Sequence, residues 1–325
     1  MKPLSAQFRP YGWALSTAAI AARAGLPAEQ VLRFDGNTPP DPPATARAET
    51  VAAALERVQS YKHGGFPDLL QAIADYNGVE PANVVLGAGA DDALMLCARA
   101  YAGPGDRIAI ADEPSYPLYR VAAWVTGADV GDDEPVLTFV CRPHNPSGAM
   151  VELPPARPLV VDEAYFEYGG ETAVALLDDD VIVVRTFSKA FGLASARVGY
   201  ALADEATAAE LNERQQPAPI STLSAALALA GLEAGPPDVS ATIAERERLA
   251  GELRALGLEP LPSWTNFLLV PHDRAEELYD SLLARGLAVR PSPGAIRITV
   301  HRPDADDRLL AALAELVSGS RAAGA

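Results

Sequence analysis

The chain has 325 residues, 49% apolar and 21% charged, with 26 basic against 43 acidic side chains and a formal net charge of −17. That balance argues against a nucleic-acid partner, which needs a basic face to release counterions, and disfavours an anionic membrane surface. No run reaches the ~18 apolar residues of a membrane span, and the start Met1-Lys2-Pro3-Leu4-Ser5 lacks a signal-peptide core, so the expected location is the cytoplasm.

In chain order, residues 1–33 contain one short helix and read as an arm that packs on a smaller domain or on a partner subunit. A loop, Asp35-Gly36-Asn37-Thr38-Pro39-Pro40, follows. From residue 84 onward, short apolar runs alternate with helical patterns. The runs are Val84–Leu86, Arg107–Ala111, Val136–Cys141, Leu159–Val161, Val181–Arg185 and Val198–Leu202. They are continuous rather than alternating, as strands buried on both faces should be. Amphipathic stretches at Asp91–Ala100 and Tyr116–Val125 fall between some of them. This α/β order predicts a large domain, residues 34–225, with a mostly parallel sheet covered by helices. Beyond it, helices at Val239–Leu256, Arg274–Ala284 and Asp304–Val317 frame strands at Phe267–Val270 and Ile296–Val300. Those elements predict a smaller α+β domain over residues 226–325. Cys97 and Cys141 lie in apolar runs and read as buried thiols, with no disulfide framework and no metal site.

The chemically suggestive residues gather at predicted strand ends, where ligands bind in α/β sheets. Only Lys2, Lys62 and Lys189 are lysines. Lys2 is terminal and Lys62 lies in a polar, glycine-containing loop. Lys189 ends a buried strand in Arg185-Thr186-Phe187-Ser188-Lys189-Ala190-Phe191-Gly192. There it is either a snorkelling cation or an amine with a chemical use. Arg197 follows shortly and suits a phosphate. Asp162 ends the run Leu159-Val160-Val161, either to face a ligand or to cap a helix; Tyr165 comes one turn later. Asn145 sits in Pro143-His144-Asn145-Pro146-Ser147-Gly148, with His144 read as structural. Gly87-Ala88-Gly89-Ala90-Asp91 opens a helix, so backbone N–H groups at Ala90 and Asp91 can receive an anion. Tyr116, in Pro114-Ser115-Tyr116-Pro117, is placed to stack on a flat ring or to fill the core. Arg290 and Arg297 lie in the smaller domain. An arginine within Ala295-Ile296-Arg297-Ile298-Thr299 needs an anion or a salt-bridge partner. A lysine, a buried aspartate, an asparagine and an anion-receiving turn on one sheet are the groups that pyridoxal-phosphate chemistry requires.

From about residue 10 to residue 317 the chain resembles the fold-type I pyridoxal-phosphate aminotransferases, and within them the histidinol-phosphate aminotransferase family. The resemblance rests on Val161-Asp162-Glu163-Ala164-Tyr165, Arg185–Gly192, Arg197-Val198-Gly199-Tyr200, Asn145-Pro146-Ser147-Gly148, Pro114-Ser115-Tyr116-Pro117 and Arg297-Ile298-Thr299-Val300. It implies an aspartate-aminotransferase-like fold and pyridoxal 5′-phosphate as cofactor. By the same resemblance, Lys189 would form the Schiff base and carry the proton. Asp162 would pair with the ring nitrogen, Asn145 and Tyr165 with the ring oxygen. Ser188, Arg197, Ala90 and Asp91 would hold the phosphate, and Tyr116 would stack on the ring. Tyr61, in Ser60-Tyr61-Lys62, would reach the cofactor of a neighbouring subunit, so a homodimer is implied. Arg297 would take the substrate's anionic group, with Tyr11, Asn37 and Arg290 at the substrate mouth. The partners implied are an amino donor, L-histidinol phosphate, and an acceptor, 2-oxoglutarate.

The chain departs from the family pattern in places. The segments between Val130 and Val136 and between Gly148 and Leu159 are short. The family's Asn-Glu-Asn-Pro is here Gly36-Asn37-Thr38-Pro39, and its Tyr-Pro-Asp run is Tyr61-Lys62-His63. These leave three alternatives: an aromatic or other amino-acid aminotransferase, a decarboxylase resembling threonine-phosphate decarboxylase, and a non-catalytic regulatory protein on the same fold.

Overall fold

A computed structural model describes residues 4–323, the last five as helical backbone only; Lys2 lies outside the described residues. In chain order the first six strands are β1 (Leu32–Arg33), β2 (Val84–Gly87), β3 (Arg107–Ile110), β4 (Asp129–Val130), β5 (Leu137–Cys141) and β6 (Leu159–Asp162). The others are β7 (Val181–Thr186), β8 (Gly199–Leu202), β9 (Phe267–Pro271), β10 (Leu287–Ala288), β11 (Arg290–Ser292) and β12 (Ala295–Thr299).

The chain forms two compact units. The first comprises Met1–Tyr11, Asp41–Asn145 and Val151–Pro237. Its sheet has seven strands in the order β2-β8-β7-β6-β5-β3-β4. Only β8 runs antiparallel to its neighbours. Side chains alternate between two cores, which explains the unbroken apolar runs. Val160, Ile182 and Val184 face the helices Ala90–Tyr101, Leu118–Thr126 and Glu205–Arg214. Val161, Val181 and Val183 face the helices Pro67–Asn77 and Thr222–Glu233 on the other side. The helices are punctuated as sequence chemistry dictates: Pro67 opens one that ends on left-handed Gly78, and Gly127 closes Leu118–Thr126.

The second unit comprises Gly12–Pro40, Pro146–Met150 and Asp238–Ala325. Its antiparallel sheet, β11-β12-β9, is packed by the helices Ser240–Ala255, Ala275–Leu283 and Pro303–Ala323. The arm helix Thr17–Ala24 is fastened within this unit. Ile20, Ala21 and Val31 pack with Leu283 and Ala288, and β1 pairs in parallel with β10.

The boundaries differ from those the sequence suggests. Residues 226–237 belong to the first unit, because the helix Thr222–Glu233 lies against Ala48–Leu55 and Pro67–Asn77. Residues 4–11 also join the first unit: the Ser5 hydroxyl donates to Asp129, and the Ser5 amide to the Trp124 carbonyl. Residues 34–40 join the second, where Phe34 is wholly buried. Cys97 and Cys141 are free, buried thiols. Among the described residues, no helix is long and apolar enough to cross a membrane.

Candidate active site

The carboxyl ends of β5, β6 and β7 bring together Asn145, Asp162, Tyr165, Ser188 and Lys189, with Asp162, Tyr165, Asn145 and Ser188 all less than a tenth exposed. Asp162 ends β6 directly beside Cys141 of β5. Its Oδ2 accepts from the Tyr119 hydroxyl at 2.7 Å and its Oδ1 from the Ala164 amide at 3.0 Å. Burial pushes its pKa up to about 6, against those two hydrogen bonds and the Lys189 charge, which lower it. Lys189 leaves β7 through a turn closed by Gly192 N–H donating to the Lys189 carbonyl. Its Nζ lies 5.7 Å from the centre of the Tyr165 ring.

An anion-binding corner lies nearby. Gly89, at φ 88°, precedes the helix that starts at Ala90. Two glycines let chains approach there. A Cβ on Gly199 would lie 2.4 Å from the Ala90 nitrogen, and one on Gly89 would lie 2.6 Å from Arg197 Nη2. Arg197 itself adopts a left-handed φ of 54°, a strain of the kind stored at functional sites. Its guanidinium reaches Asp91 Oδ2 at 3.1 Å and the Ser188 hydroxyl at 3.5 Å. Thr186 Oγ1 donates to Ser188 Oγ at 3.0 Å and accepts from the Ser188 amide. The Tyr116 hydroxyl donates to Asp91 Oδ1 at 3.0 Å, and its ring meets Tyr11 edge-on at 6.5 Å. Burial and Asp91 push the Tyr116 phenol upward, so it stays protonated.

Behind the strand ends lies a buried ion pair that sequence reasoning missed. Arg185 donates to Glu163 Oε2 through Nε at 3.0 Å and Nη2 at 2.8 Å, and Nη1 donates to Asn77 Oδ1 at 2.7 Å. The guanidinium also lies 3.5 Å over the Phe166 ring. The sequence signal was available: Glu163 directly follows the strand that Asp162 ends, and Arg185 interrupts the apolar run of β7. Tyr119 was also missed, although it stands one helical turn beyond Tyr116. His144 is buried, and desolvation holds its imidazole pKa low.

The second unit holds the two arginines singled out in the smaller domain. Arg290 and Arg297 are direct cross-strand partners in the tight β11–β12 hairpin. Arg297 is 8% exposed; its Nη2 donates to the Asp35 carbonyl at 3.1 Å, and its guanidinium lies 5.1 Å from the Phe267 ring centre. Asn37 is buried at φ 51°, and its Oδ1 accepts from the Thr299 hydroxyl at 3.0 Å. That bond anchors the loop to β12. Tyr61 is 82% exposed, and Leu55 and Val58, a few residues earlier in the chain, are exposed too. Among the described residues, no group of His, Cys, Asp and Glu side chains has the arrangement of a metal site.

Fold and cluster together define an enzyme class: the chain belongs to the aminotransferase class I and II family, whose model matches residues 28–313. Its relatives narrow this to the histidinol-phosphate aminotransferases. The chain is 36% identical to the histidinol-phosphate aminotransferase of Thermoanaerobacter pseudethanolicus, over 83% of this chain and 89% of that one. It is 32% identical to that of Staphylococcus haemolyticus, over 96% and 99% of the two chains. The crystal structure of histidinol-phosphate aminotransferase from Sinorhizobium meliloti, in complex with pyridoxal-5′-phosphate, aligns with a TM-score of 0.82 at 27% identity. That alignment covers 97% of this chain and 98% of that one.

Proposed function

We infer that this protein is a pyridoxal 5′-phosphate-dependent aminotransferase that moves an amino group between L-histidinol phosphate and 2-oxoglutarate, giving imidazole-acetol phosphate and glutamate. The donor set fits the cofactor. Asp162 is a buried carboxyl whose ionised form a cationic ring nitrogen would stabilise. The helix start at Ala90 and Asp91, with Arg197 and Ser188, suits a phosphate. Asp91 must then share Arg197 with that phosphate, since its carboxylate already contacts the guanidinium.

When bound, the cofactor supplies an electron sink for the charge left when a bond to the substrate Cα breaks. The remaining work falls to side chains of this chain. The Lys189 amine would take the proton from the substrate Cα, which arginine could not do because it stays charged. Asp162 would hold a proton at the ring nitrogen. Asn145 and Tyr165 would bind the ring oxygen, and Tyr116 would cover the ring face. Tyr61, exposed in the single chain, serves the cofactor of a second copy in a homodimer.

The observation that carries the substrate assignment is the Arg290–Arg297 cross-strand pair. Two like charges directly opposite are unfavourable alone and suit a group with more than one negative charge, such as a phosphate. In this reading Arg297 takes the anionic group, with Arg290 across the hairpin from it; the family resemblance adds Tyr11 to the substrate-binding residues. Asn37, already bonded to Thr299, contributes by shaping the loop at the mouth.

The test is a reconstituted enzyme given L-histidinol phosphate and 2-oxoglutarate, with products followed by NMR. Glutamate and imidazole-acetol phosphate should appear in equal amounts. Carbon dioxide release without glutamate would establish the decarboxylase instead.

A further inference from the structure

Asp162 is itself held by a side chain outside the groups assigned to the cofactor, Tyr119. The Tyr119 hydroxyl donates to Asp162 Oδ2 at 2.7 Å, the shorter of that carboxylate's two bonds. Tyr119 comes from the helix Leu118–Thr126 and is wholly buried. Its ring stacks on Phe139 of β5, with centroids 5.2 Å apart and planes 9° apart, and meets Tyr116 edge-on at 5.6 Å. Aromatic neighbours therefore fix where the hydroxyl points. A buried phenol that needed only a partner would be satisfied by any backbone carbonyl; this one faces an acid at the end of a strand.

We propose that Tyr119 is a positioning residue for the cofactor's ring nitrogen, aiming the Asp162 carboxylate and keeping it ionised. The proposal rests on the pyridoxal-phosphate reading above. A hydroxyl donated to a carboxylate binds the ionised form more strongly than the neutral one, and so opposes the desolvation that burial imposes. The titratable groups facing Asp162 are Tyr119 and Tyr116 from the helix and its approach, Cys141 on β5, Asp91 and Lys189. Burial drives Tyr116, Tyr119 and Cys141 upward, which keeps them neutral. Lys189 favours the ionised carboxylate and Asp91 disfavours it. The Ala164 amide is a backbone donor that no side-chain change removes. Of the two hydrogen bonds the Asp162 carboxylate accepts, Tyr119 thus supplies the one from a neutral side chain. Without it, the balance shifts toward a proton on Asp162 and away from the ring nitrogen, leaving a weaker electron sink.

The experiment uses holoenzyme reconstituted with pyridoxal phosphate labelled with 15N in the ring. Wild type, Tyr119→Phe and Tyr119→His are compared at one pH. Tyr119→Phe keeps the ring and its stacking, and the unfolding midpoint of the apoprotein checks its fold. In wild type the nitrogen should resonate in the protonated range. In Tyr119→Phe it should move toward the unprotonated range, kcat should fall about 10- to 100-fold, and KM for the amino donor should stay within about twofold. Tyr119→His, which keeps a ring and an N–H donor, should return part of the shift. A Tyr119→Phe nitrogen signal at the wild-type position would overturn the proposal, as would a His variant shifted as far as Phe. A purely structural role would lower the unfolding midpoint and leave the nitrogen unmoved. Failure of the wild-type protein to take up the labelled cofactor would instead overturn the pyridoxal-phosphate reading.

Discussion

The residues singled out for chemistry in the two units are held differently. In the first, charges are met by partners that the chain itself provides: Asp162 by Tyr119 and Ala164, and Arg185 by Glu163, Asn77 and Thr172. In the second, two arginines stand directly across a hairpin from each other, and the mostly buried member is steadied by a backbone carbonyl and an aromatic face. The first arrangement is preorganised, as chemistry requires. In the proposed reading, the second would receive the substrate's anion. Changes in the first unit should therefore act on kcat and on stability, and changes in the second on KM.

The largest effect expected is that of Lys189→Ala. With no amine to move the Cα proton, kcat should fall by about 10⁴-fold. The mass that borohydride adds to wild type at Lys189 should be lost, because no amine remains there to be joined covalently to the cofactor. Next is Glu163→Gln, which leaves Arg185 charged beside a partner that is no longer an anion. The side chains are 3% and 0% exposed, so stability should drop by about 3–5 kcal/mol, read from denaturant unfolding of the apoprotein.

A smaller effect concerns pH. The folded-state pKa of Asp162, raised from 3.8 to about 6 by burial, means that the native apoprotein holds this proton more tightly than the unfolded chain. Its contribution is fully present below the unfolded pKa and is lost as pH rises through about 6. Asp162→Asn removes that dependence. The variant apoprotein should gain on wild type by about 2–3 kcal/mol between pH 4 and pH 7.5, measured by denaturant midpoints. The same substitution should impair the holoenzyme, so stability and activity would move in opposite directions. Smallest in energy is the test on the second unit. Arg297→Gln should raise KM for the anionic substrate about 10- to 100-fold with less change in kcat. Arg290→Gln should leave the unfolding midpoint unchanged or raise it slightly. A large loss of stability on that change would break the contrast between the units.

Much of the first unit was legible in the sequence because strands buried on both faces leave continuous apolar runs, and all six that were read are strands here. Shorter elements escaped. β4 has two residues at the sheet's edge, and β11 reads Arg290-Pro291-Ser292, which carries no apolar pattern. The helix Thr222–Glu233 is apolar nearly all round, so its sequence does not reveal which unit it packs against. At the site, Lys189, Asp162, Asn145 and Ser188 could be picked out because strand ends followed by turns are visible in one dimension. Tyr119 and the Arg185–Glu163 pair were harder, since their importance lies in what they touch across 43 and 22 residues of chain. A polar residue within an apolar run, as at Arg185, was the clue available. The pairing of Arg290 with Arg297 needed the hairpin register, which spacing alone does not give.

The most direct test of the account is the ratio of kcat/KM for L-histidinol phosphate to that for L-phenylalanine, measured with 2-oxoglutarate as acceptor. An arginine pair that reads a phosphate predicts a ratio well above one, collapsing when Arg290 and Arg297 are both replaced by glutamine. A ratio below one in the wild-type enzyme would contradict the assignment of the phosphorylated substrate.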